Sequence, residues 1–241
     1  MKDKNCDPEF LRMPVWYPVL ASYTFLTGFV KLPPEGVSAL AQGVTTGAAA
    51  RAMIAAMRPV LASIPGNAFV GVDRCSPTDT ERFFLKGGAV FSARSAWFFL
   101  ANSEKVRNAA LAGEAEFICL RPYRRITKPR EFRLFIIDGE LLAMSQYHLI
   151  RHFRRLEGIK MKLWKQAQDF IKSIAWQLPE GRLVMDIYFT ASGKILIFDL
   201  NEWGKASPLM LRTYDRDWYQ NQGIYLMPPP LTISGDVNVS F

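Results

Sequence analysis

Residues 183–201, LVMDIYFT-ASGK-ILIFDLN, contain two runs of β-branched and aromatic residues on either side of a Ser-Gly pair. Such runs around a short turn predict a β-hairpin. With Ser192-Gly193 as a two-residue loop, counting back along both strands places Asp186 opposite Asp199. Directly opposed residues point to the same face of a sheet, and Asn201, two residues beyond Asp199, shares that face.

The hairpin therefore brings two carboxylates and an amide oxygen together on a largely apolar surface. Like charges opposed across a ladder destabilise a sheet unless a cation lies between them. Hard oxygen ligands suit Mg²⁺, which takes one or two carboxylates together with phosphate oxygens of a bound nucleotide. We predict a Mg²⁺ site at Asp186, Asp199 and Asn201 in a nucleotide-dependent protein. The alternative is a solvated strand face with incidental acids.

The composition limits the class of protein. A chain of 241 residues with 49% hydrophobic residues predicts one large domain or two lobes that share a cleft, and it argues against disorder. The net charge of +8 suits phosphate-bearing ligands or an acidic partner. Three widely spaced cysteines, Cys6, Cys75 and Cys119, argue against a disulfide scaffold or a cysteine-based zinc site.

The same features predict a cytoplasmic protein. The first eight residues lack the apolar stretch of a signal peptide. The Ala-rich stretch at 37–64 is interrupted by Gln42, Arg51 and Arg58, which favours a helix in water over a membrane span. We therefore expect no membrane association.

The remaining patterns predict an α+β fold with largely antiparallel sheets. Strands are expected near 25–32, 68–72 and 116–120, with a second hairpin at 131–137 and 141–145. Helices are expected at 47–63, 92–100, 103–111, 149–157 and 161–177, and an irregular tail from 223 onward.

Basic residues cluster in two places. Arg121 ends an apolar strand, and Arg133 lies on an alternating strand, where it shares a face with Glu131. Arginines that face a cleft from a strand suit bidentate contacts with phosphate, whereas most charged runs are simply solvated. The basic helical region 151–165 is interpreted as a solvated face or as a docking surface for an acidic partner. It lacks an RNA-binding signature, so nucleic acid is not expected as a partner.

Several common sites are missing from the sequence. It contains no Gly-x-x-x-x-Gly-Lys-Ser/Thr and no Gly-x-Gly-x-x-Gly motif, so a nucleotide site must be of another kind. His148 and His152 lie four apart but lack the glutamate of a His-Glu-x-x-His zinc site.

Short motifs along most of the chain match those of one known family. They are Trp16-Tyr17-Pro18, Ser76-Pro77-Thr78-Asp79, Ser103-Glu104-Lys105-Val106, Leu120-Arg121, Glu131-Phe132-Arg133-Leu134-Phe135, Ser145-Gln146, Asp186-Ile187-Tyr188 and Asp199-Leu200-Asn201-Glu202-Trp203-Gly204. By these motifs the chain resembles the cell division cycle protein 123 family, a divergent branch of the ATP-grasp superfamily.

The resemblance implies an ATP-grasp-like fold of two lobes, 1–118 and 119–241, that grip ATP between largely antiparallel sheets. It assigns Mg²⁺ to Asp186, Asp199 and Asn201. It places Arg121 and Arg133 at the nucleotide phosphates or the transferred group, with Arg133 as the catalytic residue and Glu131 as its orienting partner. Ser76 and Leu120, from the matching motifs, are expected on the cofactor side.

The sequence departs from the family pattern at two cations. Gly71 stands where the family usually has Lys or Arg, and Thr78 stands where it usually has Lys. Arg74 or Lys86 is expected to compensate. Without compensation, ATP binding would be weaker or differently placed.

The resemblance also implies two functions. Eukaryotic relatives act as assembly factors for translation initiation factor two and bind its γ subunit, and bacterial and viral relatives are suspected of ATP-dependent ligation onto peptides or proteins. We therefore expect an ATP- and Mg²⁺-binding protein that is a ligase-type modifier or an assembly factor with a protein partner. The alternative is a non-catalytic scaffold whose partner-binding surface is shaped by ATP.

Overall fold

The computed structural model describes residues 4–230 and contains two β-sheets. The small sheet has the strand order β1-β3-β2, and the large sheet has the order β7-β6-β4-β5-β8. The strands are β1 Gly28–Lys31, β2 Ala68–Val72, β3 Phe117–Pro122, β4 Glu131–Ile137, β5 Glu140–Gln146, β6 Arg182–Phe189, β7 Ile195–Glu202 and β8 Gly223–Tyr225. All neighbouring strands pair antiparallel except β5 and β8. The expected α+β class with largely antiparallel sheets is confirmed.

Eight α-helices accompany the sheets in the described part of the chain. They are α1 Met13–Leu20, α2 Pro34–Ala41, α3 Ala48–Ala62, α4 Glu81–Lys86, α5 Ala93–Ala101, α6 Glu104–Leu111, α7 Arg154–Glu157 and α8 Lys160–Ile174. Proline hides two of them from sequence patterns: α1 contains Pro18, and α2 begins at Pro34. Pro34 opens the first turn of α2, where the N–H that proline lacks has no partner anyway, whereas Pro18 lies inside α1.

The helix expected over 149–157 is shorter in the structure and covers only α7. Gln146 explains the difference, because its side-chain nitrogen donates to the carbonyl oxygens of His148 and Arg151 at 2.5 and 3.1 Å. These carbonyls are held by a side chain instead of by a helical ladder. The segment before α7 is therefore a fixed turn.

Each sheet has its own apolar core. Helices α2, α3, α5 and α6 contribute to the core of the small sheet, where Trp97 and Leu120 are fully buried. The core of the large sheet includes one face of α8 and also Trp16 from α1. Strand β3 belongs to the small sheet, so the expected lobe boundary between residues 118 and 119 falls inside a strand. The boundary itself stays a prediction.

A buried ion pair ties the N-terminal segment to the small sheet. Asp73 has no exposed surface and accepts from Arg12 Nε at 3.0 Å. Its other oxygen accepts from the backbone N–H groups of Glu116 and Phe117 at 3.0 and 2.6 Å. A buried carboxylate with this many donors is fully satisfied, which fixes the turn after β2 against the start of α1.

The predicted hairpin is confirmed, with a different turn. The loop has three residues, 191–193, closed by the bond from Thr190 N to the Lys194 carbonyl at 2.8 Å. Gly193 supplies the positive φ of 82° that such a loop needs. The longer loop shifts the pairing by one residue, and a β-bulge at Phe198 shifts it back, so Asp186 still pairs with Asp199.

The chain beyond 223 is not wholly irregular, as it was expected to be. Gly223–Tyr225 forms β8, which pairs in parallel with β5 at the sheet edge. Three residues are too few for a periodic signal, so the sequence does not reveal this strand. Residues 226–230 form no helix or strand, as expected, and residues 231–241 of the predicted tail lie outside the described residues. Between residues 4 and 230, no helix is long and apolar enough to cross a membrane.

Candidate nucleotide and metal site

Three neighbouring strands carry a row of charged side chains on the face opposite the large core. Arg133 on β4 pairs in register with Asp186 on β6, which pairs in turn with Asp199 on β7. Arg133 Nε donates to Asp186 Oδ1 at 2.7 Å, and Nη2 donates to Oδ2 at 2.8 Å. Asn201 Nδ2 donates to Asp186 Oδ2 at 3.1 Å. The three residues predicted for Mg²⁺ therefore lie together, with Arg133 as their neighbour.

Arg133 is held from several sides. Only 6% of the residue is exposed, and its Nη1 donates to the Ser207 carbonyl oxygen at 2.9 Å. The guanidinium carbon lies 5.2 Å from the Tyr147 ring centroid, a cation–π distance. Burial opposes the charge, but the bonds to Asp186 outweigh it and raise the pKa of Arg133. The guanidinium therefore stays charged and positioned.

Glu131 was expected to orient Arg133, but in the structure it has a different partner. Its Oε2 lies 2.9 Å from His148 Nε2 instead. Orientation comes from Asp186 and Ser207. The second histidine, His152, contacts the Met227 carbonyl oxygen through Nδ1 at 2.9 Å, so the two histidines have separate partners.

Asp199 is the least neutralised carboxylate of the row. Its Oδ1 accepts from the Leu200 N–H at 3.0 Å. Burial and the charge of Asp186 raise the pKa of Asp199 to about 7, against a weaker opposing effect of Arg121. Burial thus disfavours the ionised form of Asp199 despite the nearby arginines.

These donors fit Mg²⁺ chemically. Asp199 and Asn201 offer hard oxygens, and Asp186 Oδ1 keeps a second lone pair beside its bond to Arg133, whereas Oδ2 accepts from both Arg133 and Asn201. Over the described residues, no three His, Cys, Asp or Glu side chains cluster as a metal site. A divalent ion here would therefore rely on two carboxylates, an amide and oxygens of a ligand.

Arg121 links the small sheet to this row. It lies on β3, is 8% exposed, and donates from Nη1 to the Phe198 carbonyl oxygen on β7 at 3.0 Å. Its guanidinium carbon lies 5.7 Å from the centroid of the Phe69 ring. Burial lowers the pKa of Arg121, and the charge of Asp199 opposes that shift. The two predicted arginines thus approach the acidic pair from different sheets.

Close packing explains why residue 71 is a glycine where the family usually has a cation. An added Cβ at residue 71 would lie 2.9 Å from the Cys75 carbonyl oxygen and 3.0 Å from Ser76 Oγ. The chain turns back tightly here, with Val72 N bonded to the Cys75 carbonyl at 2.8 Å. No side chain fits without a backbone shift. Ser76 packs against this glycine. The N-cap of the following helix, α4, is Thr80.

Thr78, the second position that differs from the family pattern, has a lysine next to it that the sequence did not predict as a site residue. Lys105 Nζ donates to Thr78 Oγ1 at 2.9 Å, so a cation from α6 lies beside residue 78. Asp79 accepts from Ser103 Oγ at 2.6 Å and from the Lys105 N–H at 3.1 Å, which fixes the turn to the start of α6. Burial opposes ionisation, but these bonds prevail and lower the pKa of Asp79. The signal was the matching Ser-Glu-Lys-Val motif itself.

The remaining expected residues are placed differently. Arg74 points to Glu114, with Nη1 3.4 Å from Oε1, and shares with Asn201 the lining of a cavity of about 190 Å³. Leu120 has its side chain in the small core. Lys86 is exposed at the end of α4, and its carbonyl accepts from Tyr123. Of these three, only Arg74 borders the row.

A sequence profile of one family, described as D123, matches residues 97–217, half of the chain. The chain belongs to the D123 family. The D123 match contains Arg121, Arg133, Asp186, Asp199 and Asn201, so the whole charged row and its partner arginine lie within it.

Relatives of this D123 chain are longer proteins. The translation initiation factor eIF2 assembly protein of Xenopus tropicalis is 28% identical over 105 residues, which cover 42% of this chain and 31% of that relative. Cell division cycle protein 123 of Eremothecium gossypii is 26% identical over 100 residues, 41% of this chain and 28% of the relative. The matched segments thus span less than a third of either relative.

A solved structure shows that the D123 fold extends beyond the matched profile. C-terminally truncated Cdc123 from Schizosaccharomyces pombe aligns over 80% of this chain and 83% of its own, with a TM-score of 0.68 at 18% identity. This similarity confirms the fold expected from the family resemblance.

Proposed function

We propose that the chain binds ATP together with Mg²⁺ between its two sheets. One observation carries the proposal: the row Arg133–Asp186–Asp199 on the large sheet is met by Arg121 from the small sheet. Buried arginines beside paired carboxylates form a site that binds an anion and a divalent cation together. Nucleotide triphosphate with its Mg²⁺ has that charge pattern.

Different residues would contact the metal ion and the phosphates of the ligand. Asp186, Asp199 and Asn201 would hold Mg²⁺, which neutralises phosphate charge when bound. Arg121 and Arg133 would face the phosphates, and Lys105 beside Thr78 supplies the cation that the turn after β2 lacks. Because burial raises the pKa of Asp199, a bound metal ion would favour its ionised form, and the ionised form would favour the metal.

We further propose that nucleotide binding serves the assembly of a protein complex. Several relatives of the chain are named translation initiation factor eIF2 assembly proteins. By this similarity, the partner of the chain would be a subunit of a translation initiation factor. The three cysteines are free in the structure, in keeping with the reducing cytoplasm in which we place this function.

A ligase activity is the second candidate. Arg133, buried and charged, is suited to stabilise negative charge that develops during phosphoryl transfer. Its Nε and one N–H of Nη2 bind Asp186, and one N–H of Nη1 binds Ser207, which leaves two of the five guanidinium N–H groups to contact a phosphate.

Calorimetric titration of ATP tests nucleotide binding, with Mg²⁺ and with a chelator in its place. We expect binding that depends on Mg²⁺ and is lost in Asp199→Ala. Release of ADP and phosphate in the presence of carboxylate and amine peptides would favour the ligase. Binding without turnover, together with an ATP-dependent complex with an initiation-factor subunit, would favour the assembly factor. No ATP binding in the wild type would refute both.

A further inference from the structure

A groove lies in the helical part of the small lobe, apart from the charged row. It has a volume of about 340 Å³ and runs between α3 and the start of α5. Ile54, Arg58 and Leu61 line one side, at a spacing that places them on one helix face. Phe91 and Arg94 line the other side. None of the lining residues belongs to the proposed nucleotide site.

The charge around the groove has one sign. Arg58 and Arg94 are exposed, and neither forms an ion pair with any residue of the described range 4–230. A third arginine, Arg82, holds its guanidinium carbon 5.5 Å from the Phe91 ring centroid. No carboxylate lines the groove. Guanidinium groups without partners beside an apolar floor favour a carboxylate-bearing ligand.

The same surface exposes large apolar side chains. Phe91 is 65% exposed and Phe98 is 55% exposed. Phe98 follows Arg94 by four residues, so both lie on the same side of α5. Exposed apolar groups with a polar rim mark binding surfaces for proteins, and a buried apolar anchor usually supplies most of the binding energy.

We propose that this groove binds an acidic segment of a partner protein through one apolar anchor residue. The anchor packs on Ile54, Leu61 and Phe91, and acidic residues beside it pair with Arg58 and Arg94. A protein segment fits better than RNA, because the floor includes aliphatic side chains, whereas single-stranded nucleic acid is bound along a track of stacking aromatics. The inference is independent of ATP binding.

An array of short acidic peptides tests the proposal on the full chain. The peptides vary the anchor among Leu, Ile, Phe and Trp. The best binder is then measured by fluorescence anisotropy, beside a version with Ser in place of the anchor, a version with Lys in place of the acids, and single-stranded poly(U) RNA. We expect binding only of the acidic, anchored peptide.

Matched variants locate the site. Arg58→Glu with Arg94→Glu is expected to weaken binding about tenfold or more, because two charge-assisted contacts become repulsive. Arg124→Glu with Arg125→Glu changes the net charge equally at exposed residues outside the groove, and we expect less than about a twofold effect. Arg58→Gln with Arg94→Gln provides a milder pair, and thermal melts establish that each variant is folded.

Four results would overturn the proposal. The first is that no peptide of the array binds the wild type, and the second is that both charge-reversed pairs lose peptide binding equally. The third is that the Ser version binds as well as the anchored peptide, and the fourth is that RNA binds and its binding is lost in the groove variant. The last would assign the groove to nucleic acid.

Discussion

Arg133 and Asp186 form a bidentate ion pair across β4 and β6, with N–O distances of 2.7 and 2.8 Å, and both residues are more than nine-tenths buried. The pair occupies the middle of the candidate site, so the removal of one partner would disturb both the site and the sheet. A buried pair of this kind is costly to break from one side, because the remaining charge loses its partner.

The ion pair gives the first prediction. Arg133→Met should destabilise the fold by about 3–5 kcal/mol, since Asp186 is left buried beside Asp199. Urea denaturation measures this change. The double variant Arg133→Met with Asp186→Leu removes both charges and should recover most of the loss. Equal stability of wild type and Arg133→Met would contradict the structural role given to this pair.

The raised pKa of Asp199 predicts a pH dependence of stability. The folded state binds the Asp199 proton more tightly than the unfolded state, since its pKa is raised from 3.8 to about 7. The stability of the wild type relative to Asp199→Asn should therefore fall as the pH rises from about 4 to about 7, and level off above that range. Chemical denaturation of both proteins across this range measures the difference. A difference that is constant, or that rises with pH, would show that Asp199 ionises normally.

Gly71 and Thr78 give a paired prediction about the missing family cations. Gly71→Lys should destabilise the fold by about 1–3 kcal/mol, because the new Cβ meets the Cys75 carbonyl oxygen at 2.9 Å. Thr78→Lys, at a half-buried turn, should cost less than about 1 kcal/mol. Thermal melts of both variants test this ranking. Full stability of Gly71→Lys would mean that the turn opens easily and that the glycine is not required by packing.

The sequence was sufficient to find the acidic pair but not to derive its geometry correctly. The two-residue loop was wrong, and Asp186 still faces Asp199 because the bulge at Phe198 cancels the extra loop residue. A loop length depends on local φ angles at Gly193, whereas a bulge depends on how the strand packs. Only the pairing of two apolar runs is visible in the pattern itself.

The sequence alone could not reveal side-chain partners that come from distant segments of the chain. Lys105 reaches Thr78 across 27 positions, and Ser207 reaches Arg133 across 74, both by tertiary packing that no periodicity encodes. The contact of Glu131 with His148 instead of Arg133 is likewise decided by how the turn after β5 folds. Strand alternation shows which face a residue takes, but not which neighbour it binds.

The central claim, a Mg²⁺-dependent ATP site on the row Arg133–Asp186–Asp199, is tested most directly by thermal-shift titration with ATP, with and without Mg²⁺. The wild type, Asp199→Asn and the exposed control Asp215→Asn are compared. A ligand at about 100 times its Kd stabilises the folded state by about 2.7 kcal/mol, which corresponds to a rise in Tm of about 5 °C or more for a chain of this size. We predict this rise in the wild type and the control only with Mg²⁺, and its loss in Asp199→Asn. No Mg²⁺-dependent rise in the wild type, or an equal rise in Asp199→Asn, would contradict the claim.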